Sequence, residues 1–321
     1  MRSPLLLLAG LAACDGDRVL LHNSVVPGKA DAIALGDETL DLHRQLPNGQ
    51  LERVATRNGR VLETFDPQPG QVERLLDLDE DAGRARALAA SDDALFVWVD
   101  GVAQEPLRTE PGGGAGVLYG ALTDGGVVIV RPPQEVAEGE DAPACQAEFV
   151  LDDTSVLALP ATACSASGAL VADPLAPVAW LFTVEASWVL TPDGVTEVDT
   201  TGDLAAFDPV TGAAVVATRD SSLVDAFDET GAPVWEETVD IVDHRINDLS
   251  TLGTAGAIAA VTTRGASGTV SLLDATSGDP IIAAAMPAAA RAVSGGGDGK
   301  LLAVSVGEEV HTFLVRLRNG R

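Results

Sequence analysis

Leu223-Val224-Asp225-Ala226-Phe227-Asp228 is followed by Glu229-Thr230-Gly231 and then by Ala232-Pro233-Val234-Trp235. Two short runs of apolar and β-branched residues are separated by three residues suited to a turn. The first run predicts a strand and the last a second strand. Between them lies a tight loop whose glycine can take positive φ at no steric cost. Asp228 stands where the first strand ends, and its carboxylate can accept hydrogen bonds from N–H groups of the loop. The stretch therefore predicts a β-hairpin.

The same grammar recurs in Phe207-Asp208-Pro209-Val210-Thr211-Gly212, in Leu273-Asp274-Ala275-Thr276-Ser277-Gly278 and in Phe65-Asp66-Pro67-Gln68-Pro69-Gly70. Apolar strands are predicted over 213–218, 257–262 and 301–306, each starting 44 residues after the last. That step lies within the ~40–50 residues of a four-stranded propeller blade. The chain has 33 glycines and 18 prolines among 321 residues, an excess that many short strands and turns would use. An all-β fold is expected.

Two segments resemble known repeats. Ala226-Phe227-Asp228-Glu229-Thr230-Gly231-Ala232-Pro233-Val234-Trp235 is similar to the repeat of the pyrroloquinoline-quinone-like propellers. Asp298-Gly299-Lys300-Leu301-Leu302-Ala303-Val304 is similar to an inner strand of WD40-type repeats. The likeness covers roughly residues 180–317, and 60–130 more weakly. It implies a β-propeller of four-stranded antiparallel blades, about seven of them, with six or eight possible. By the same grammar Val310-His311-Thr312-Phe313-Leu314-Val315 is the third strand of a blade, so the fourth must come from elsewhere. Residues around 18–26, which include Val19-Leu20-Leu21, are expected to pair with 309–317 and close the ring, removing an exposed edge.

The amino terminus reads Met-Arg-Ser-Pro-Leu-Leu-Leu-Leu-Ala-Gly-Leu-Ala-Ala-Cys over residues 1–14. A basic start, a short apolar core and small residues before a cysteine form a signal-peptide layout. The apolar run 5–13 holds nine residues, whereas a spanning helix needs ~20, so it cannot serve as a transmembrane anchor. Leu11-Ala12-Ala13-Cys14 resembles the lipobox of bacterial lipoproteins. That resemblance implies removal of residues 1–13, lipidation of Cys14 and a single propeller domain over 14–321. Two or three acyl chains anchor stably where one would not. The alternative is an ordinary secretory signal with an incidental cysteine. Asp15 resembles an inner-membrane retention signal of enteric bacteria, a rule that does not transfer between groups, so the membrane and leaflet stay open.

Three cysteines in an exported chain leave one to be explained. With Cys14 lipidated, Cys145 and Cys164 remain as a candidate disulfide in an oxidising compartment, free buried thiols being the alternative. Pro132–Pro143 beside them is acidic and proline-rich, and reads as an exposed excursion that such a bond would staple. The formal net charge is −28, and −29 once residues 1–13 with Arg2 are removed. So acidic a body repels phosphate backbones and anionic headgroups. Nucleic acid is not expected as a partner, and membrane attachment would need a covalent or hydrophobic anchor.

Candidate chemistry is sparse. Asp77, Asp79 and Asp81 alternate like the first half of a calcium loop, but Ala82 stands where glycine is needed and Leu88 where a bidentate glutamate belongs. With Glu80, Arg84 and Arg86 around them, they read as a charged loop between blades, and no metal is assigned. His22, His43, His244 and His311 are dispersed, without metal-ligand spacing. Gly112-Gly113-Gly114-Ala115-Gly116 reads as a turn rather than a nucleotide cradle. Trp98, Trp180, Trp188 and Trp235 are expected to pack between blades. Quinoprotein dehydrogenases share the repeat type, but many carry adjacent cysteines near their cofactor, whereas Cys145 and Cys164 have 18 residues between them. No cofactor and no catalytic residue is assigned.

The expectation is a monomeric, lipid-anchored lipoprotein of the bacterial cell envelope, on its periplasmic or outer side, whose propeller is a non-catalytic scaffold for an envelope protein partner or a ligand. In layout it resembles the propeller lipoproteins of outer-membrane β-barrel assembly. Alternatives from other classes are a propeller enzyme of the lactonase or sugar dehydrogenase type, and a cation-binding surface sensor. Convergent carboxylates and histidines at a channel mouth would favour the enzyme, and an exposed apolar patch would favour partner binding.

Overall fold

Why four-stranded units recur is clearest from the burial of successive strands. The structure, a computed structural model, describes residues 18–36, 40–47, 50–65, 74–81, 84–90, 94–99, 102–103, 108–109, 119–123, 126–132, 145–150, 155–165, 167–219, 221–241, 245–296 and 299–317. Among these residues the second strands Ala179–Thr183, Ala213–Ala217 and Leu301–Val306 are buried along their whole length. Both of their faces are covered, so they read as continuous apolar runs instead of alternating. The fourth strand Gly194–Val198 has three exposed residues in a row. The first strand of that sheet, Gly168–Ala172, is mostly half-buried, so burial peaks at the second strand and is least at the outer edge, as sheets standing radially around an open axis require.

Seven antiparallel sheets are present among the described residues, six with four strands and one with five. Blade 1 runs Ala32–Leu35, Asp41–Gln45, Leu51–Ala55 and Arg60–Phe65. Blade 2 runs Arg74–Asp81, Arg84–Ala90 and Ala94–Val99, with the two-residue strands Val102–Ala103 and Arg108–Thr109 both paired to the third. Blade 3 is Tyr119–Thr123, Gly126–Arg131, Cys145–Val150 and Ser155–Leu159, and blade 4 is Gly168–Ala172, Ala179–Thr183, Ser187–Thr191 and Gly194–Val198. Blade 5 is Leu204–Asp208, Ala213–Ala217, Leu223–Phe227 and Val239–Asp240. Blade 6 is Arg245–Thr251, Ala257–Arg264, Ser267–Asp274 and Pro280–Met286. Blade 7 joins Ala290–Gly296, Leu301–Val306 and Glu309–Leu317 to Arg18–Pro27. Each first strand touches the next, and the first strand of blade 7 touches that of blade 1, so the ring is closed.

The seam of that ring lies in blade 7. Arg18–Pro27 pairs antiparallel with Glu309–Leu317 from Arg18↔Leu317 to Pro27↔Glu309, with a bulge between His22 and Ser24. Leu20 and Val26 are buried there, and the Asn23 amide donates to the Thr312 hydroxyl at 3.1 Å. Near the axis the inner strands come very close. A Cβ on Gly295 would stand 2.1 Å from the Thr251 carbonyl oxygen of blade 6, and one on Gly296 2.5 Å from the Leu35 carbonyl oxygen of blade 1. Only glycine fits between those backbones.

Three of the Asp-turn motifs use the same chemistry, with the threonine three residues after Asp208 and two after Asp228 and Asp274. Asp208, Asp228 and Asp274 accept hydrogen bonds from the backbone N–H and hydroxyl of Thr211, Thr230 and Thr276 respectively, and Gly212, Gly231 and Gly278 close the turns at φ of +69°, +81° and +75°. They occupy two different places in the blades: 208 follows a first strand, whereas 228 and 274 follow third strands. The motif marks a turn, not a position in the blade. The fourth motif lies largely outside the described residues, since only Phe65 at the end of its strand is described.

Several sequence readings need correction. Residues 232–235 form no strand; they make one isolated bridge, Phe227↔Pro233, and the fourth strand of blade 5 is Val239–Asp240. Pro233 has no N–H for a ladder, and Trp235 is drawn into blade 6 instead. Asp77, Asp79 and Asp81 lie in the strand Arg74–Asp81, not in a loop, with Asp79 in register with Arg86 and Asp81 with Arg84.

Antiparallel order fixes two faces of the ring. Loops after first and third strands lie on one, here called the lower face; loops after second strands and the connections between blades lie on the upper. Arg18, opposite Leu317 at the end of a third strand, belongs to the lower face.

Candidate functional site

The axial channel holds a cavity of about 410 Å³ that extends towards the lower face. Its wall comes from the first strands of six blades: residues 33–35, 121, 170–172, 205–207, 248–251 and 293–296, with Pro174, Pro209 and Gly253 in the loops that follow three of them. Most of these side chains are aliphatic or absent. A narrow axis shared by seven backbones leaves little room for larger ones.

The polar groups of the wall bind the neighbouring blade. The Asp248 carboxylate accepts the Val293 N–H at 2.9 Å, the Ser250 hydroxyl accepts the Gly295 N–H at 3.0 Å, and the Ser294 hydroxyl accepts the Leu35 N–H at 2.9 Å. The Thr251 hydroxyl donates to the Phe207 carbonyl at 2.8 Å. Together they stitch blades 5, 6, 7 and 1 at the axis. Burial raises the Asp248 pKa to about 6, against the lowering effect of the Val293 and Leu249 N–H groups and of the Arg219 charge.

The closing seam brings two histidines together that are far apart in sequence. The rings of His22 and His311 lie 5.5 Å apart edge to face, and His22 makes a similar contact with Phe313. Burial and the neighbouring His22 lower the His311 pKa, while Glu309, at 3.5 Å, works the other way. Dispersal along the chain therefore hid one convergence, because the pairing of the two termini is a long-range event. His43 is buried in the second strand of blade 1, and His244 lies outside the described residues. Among the described residues no group of three or more His, Cys, Asp or Glu side chains stands where it could hold a metal ion.

The tryptophans hold blade boundaries. The Trp180 indole donates to the Asp228 carbonyl at 3.0 Å, from blade 4 to the turn of blade 5, and the Trp235 indole donates to the Ala275 carbonyl at 2.9 Å, from blade 5 to blade 6. Trp188 is buried with Tyr119, Phe149 and Leu181 between blades 3 and 4. For Trp98 only the strand is described. Cys145 and Cys164 form a disulfide with Cα atoms 5.6 Å apart, joining a third strand to the short helix Thr162–Ser165. Both cysteines sit in the apolar cluster of blades 3 and 4, so the bond braces that core. Residues 133–143 of the acidic, proline-rich stretch, the 112–116 glycine run and residues 1–17, Cys14 among them, all lie outside the described residues.

Among the described residues no helix is long and apolar enough to cross a membrane. No family profile and no curated sequence matches the chain. Among solved structures 1155 chains match, a breadth that goes with an architecture used for many purposes rather than with one activity. One of them is the β-propeller domain of Cps50 (Swd1) from Myceliophteria thermophila, similar with a TM-score of 0.68 at 11% identity, over 92% of this chain and 99% of that one. So low an identity speaks to architecture alone. The closed ring of radial four-stranded sheets and this likeness together make the chain a β-propeller.

Proposed function

We propose that this propeller is a lipid-anchored scaffold of the bacterial cell envelope that binds a protein partner through its loops and performs no chemistry of its own. The observation that carries the scaffold reading is the use of the channel's polar groups. Asp248, Ser250, Thr251 and Ser294, where a propeller enzyme would hold substrate or metal, spend their hydrogen bonds on the backbone of adjacent blades. The anchor reading rests on Leu11-Ala12-Ala13-Cys14 after a nine-residue apolar run, and the acid-rich body gives the fold solubility instead of headgroup affinity.

Two measurements test it. Mass spectrometry of the chain purified from bacterial membranes is expected to find residue 14 as the first residue, carrying acyl chains, and Cys14→Ser is expected to move the protein into the soluble fraction. Metal analysis of the folded domain is expected to find less than one bound ion per chain. Stoichiometric calcium would turn the reading towards an enzyme or a cation sensor.

A further inference from the structure

We propose that the lower face of the ring is the one that rests on the bilayer, with Leu175 and Val210 entering the headgroup region and the upper face turned outward to the partner. This rests on the anchored reading above and adds an orientation to it. Three observations converge on that face.

The first is the tether. Cys14 precedes Arg18 by four residues, and four extended residues span at most ~14 Å. Arg18 begins its strand opposite Leu317, at the lower rim of blade 7. A lipid on Cys14 thus holds that rim close to the headgroups.

The second is the distribution of exposed apolar side chains. Leu40, Leu175 and Val210 lie in loops after first strands, and Leu175 is 84% exposed. Val61, Val156 and Val195 are each the second residue of a fourth strand, which starts from the same face. On the upper side stand Val184, between a second and a third strand, and Leu223, at the start of a third. Apolar tips arranged around one rim match a flat, two-dimensional partner better than a point contact.

The third is that the most exposed tip is held rigid. The Leu175 N–H donates to the Asp173 carboxylate at 2.7 Å, the Asp173 N–H donates to the Val178 carbonyl at 2.9 Å, and Pro174 and Pro177 flank the turn. A large apolar side chain is thereby displayed in water by a turn that cannot fold it away, so little ordering is left to do on contact. With a net charge of −28, headgroup attraction must be apolar rather than coulombic. The fitting surface is zwitterionic, and anionic lipid weakens the contact.

Paired tryptophan reporters decide the face. Leu175→Trp and, on the opposite side, Val184→Trp are introduced into the full chain, which is bound to phosphatidylcholine vesicles with brominated acyl chains. The tether is its own lipid or, where that is absent, a maleimide lipid coupled at Cys14. The emission added by Leu175→Trp is expected to fall by half or more, that of Val184→Trp to stay unchanged, and phosphatidylglycerol to reduce the quenching. Equal quenching, the reverse order, or no quenching at 175 overturns the proposal. So does a Leu175→Trp emission that is unquenched in vesicles but shielded from iodide in native membranes, which would put a protein on this face. An unmodified Cys14 sinks the anchored reading alone, because the maleimide-tethered sample still reports the orientation.

Discussion

Blades 5 and 6 meet through an indole, whereas blades 7 and 1 meet through a guanidinium. At the first boundary Trp235 brings a large apolar surface and one N–H, which the Ala275 carbonyl accepts. At the second, Arg44 donates to the Pro27 carbonyl at 2.6 Å and the Gly28 carbonyl at 3.3 Å, while Glu52 on the paired strand takes its Nε and Nη2 at 2.9 and 2.7 Å. The Arg44 and Glu52 side chains are only 6% and 13% exposed. An indole needs a single acceptor and contributes its own burial. A buried guanidinium needs a carboxylate and several carbonyls at once, so the whole constellation stands or falls together.

The sharpest way to break this contrast is one-sided removal of the charge. Arg44→Ala leaves the Glu52 carboxylate and the Pro27 carbonyl without their donor beside the closing seam. Urea unfolding is expected to show a loss of about 3–5 kcal/mol, and exchange protection should fall first in Arg18–Pro27. A loss no larger than that of a surface charge would mean that the guanidinium does not hold the seam.

Between the extremes stands the boundary of blades 6 and 7, pinned by the half-buried Asp248. Its folded pKa of about 6 lies above the ordinary value of 3.8, so between those pH values the folded chain binds more protons than the unfolded one. The contribution of this group to stability therefore rises as the pH falls from 7 towards 4. Relative to Asp248→Asn, the wild type is expected to gain about 1 kcal/mol between pH 7 and pH 5, below the ~1.3 kcal/mol that linkage gives for that interval because the group is partly solvated. A flat difference would show the carboxylate to be hydrated.

The smallest effect is expected at the indole. Trp235→Phe retains most of the apolar contact and loses the hydrogen bond to Ala275, for about 1 kcal/mol in thermal or urea unfolding. Were that loss to match Arg44→Ala, the two boundaries would not differ in kind.

The indole boundary was more legible than the guanidinium one. Trp180 and Trp235 announce themselves as side chains too large to stay wet, and Asp228-Glu229-Thr230-Gly231 names its turn by local chemistry alone. Arg44 and Glu52 look like any charged pair eight residues apart, and only their burial distinguishes them. Nothing in the sequence sets Gly295 and Gly296 apart from the other glycines until the backbones of blades 6 and 1 close on them. Asp77, Asp79 and Asp81 were misplaced in a loop because their alternation fits a cation loop and a strand equally well.

By itself the sequence determined the unit of construction: hairpins with Asp-Thr-Gly or similar turns, and apolar second strands 44 residues apart. Such features are local, set by torsional preference, side-chain chemistry and the period of apolar residues. Tertiary structure alone decided what meets across the ring: His22 with His311, the serine hydroxyls with the next backbone, the disulfide inside a core, and the rim from which the first strand departs. These contacts join residues up to 289 positions apart, and a separation of that size is fixed only when every blade has packed against its neighbours and the circle has closed.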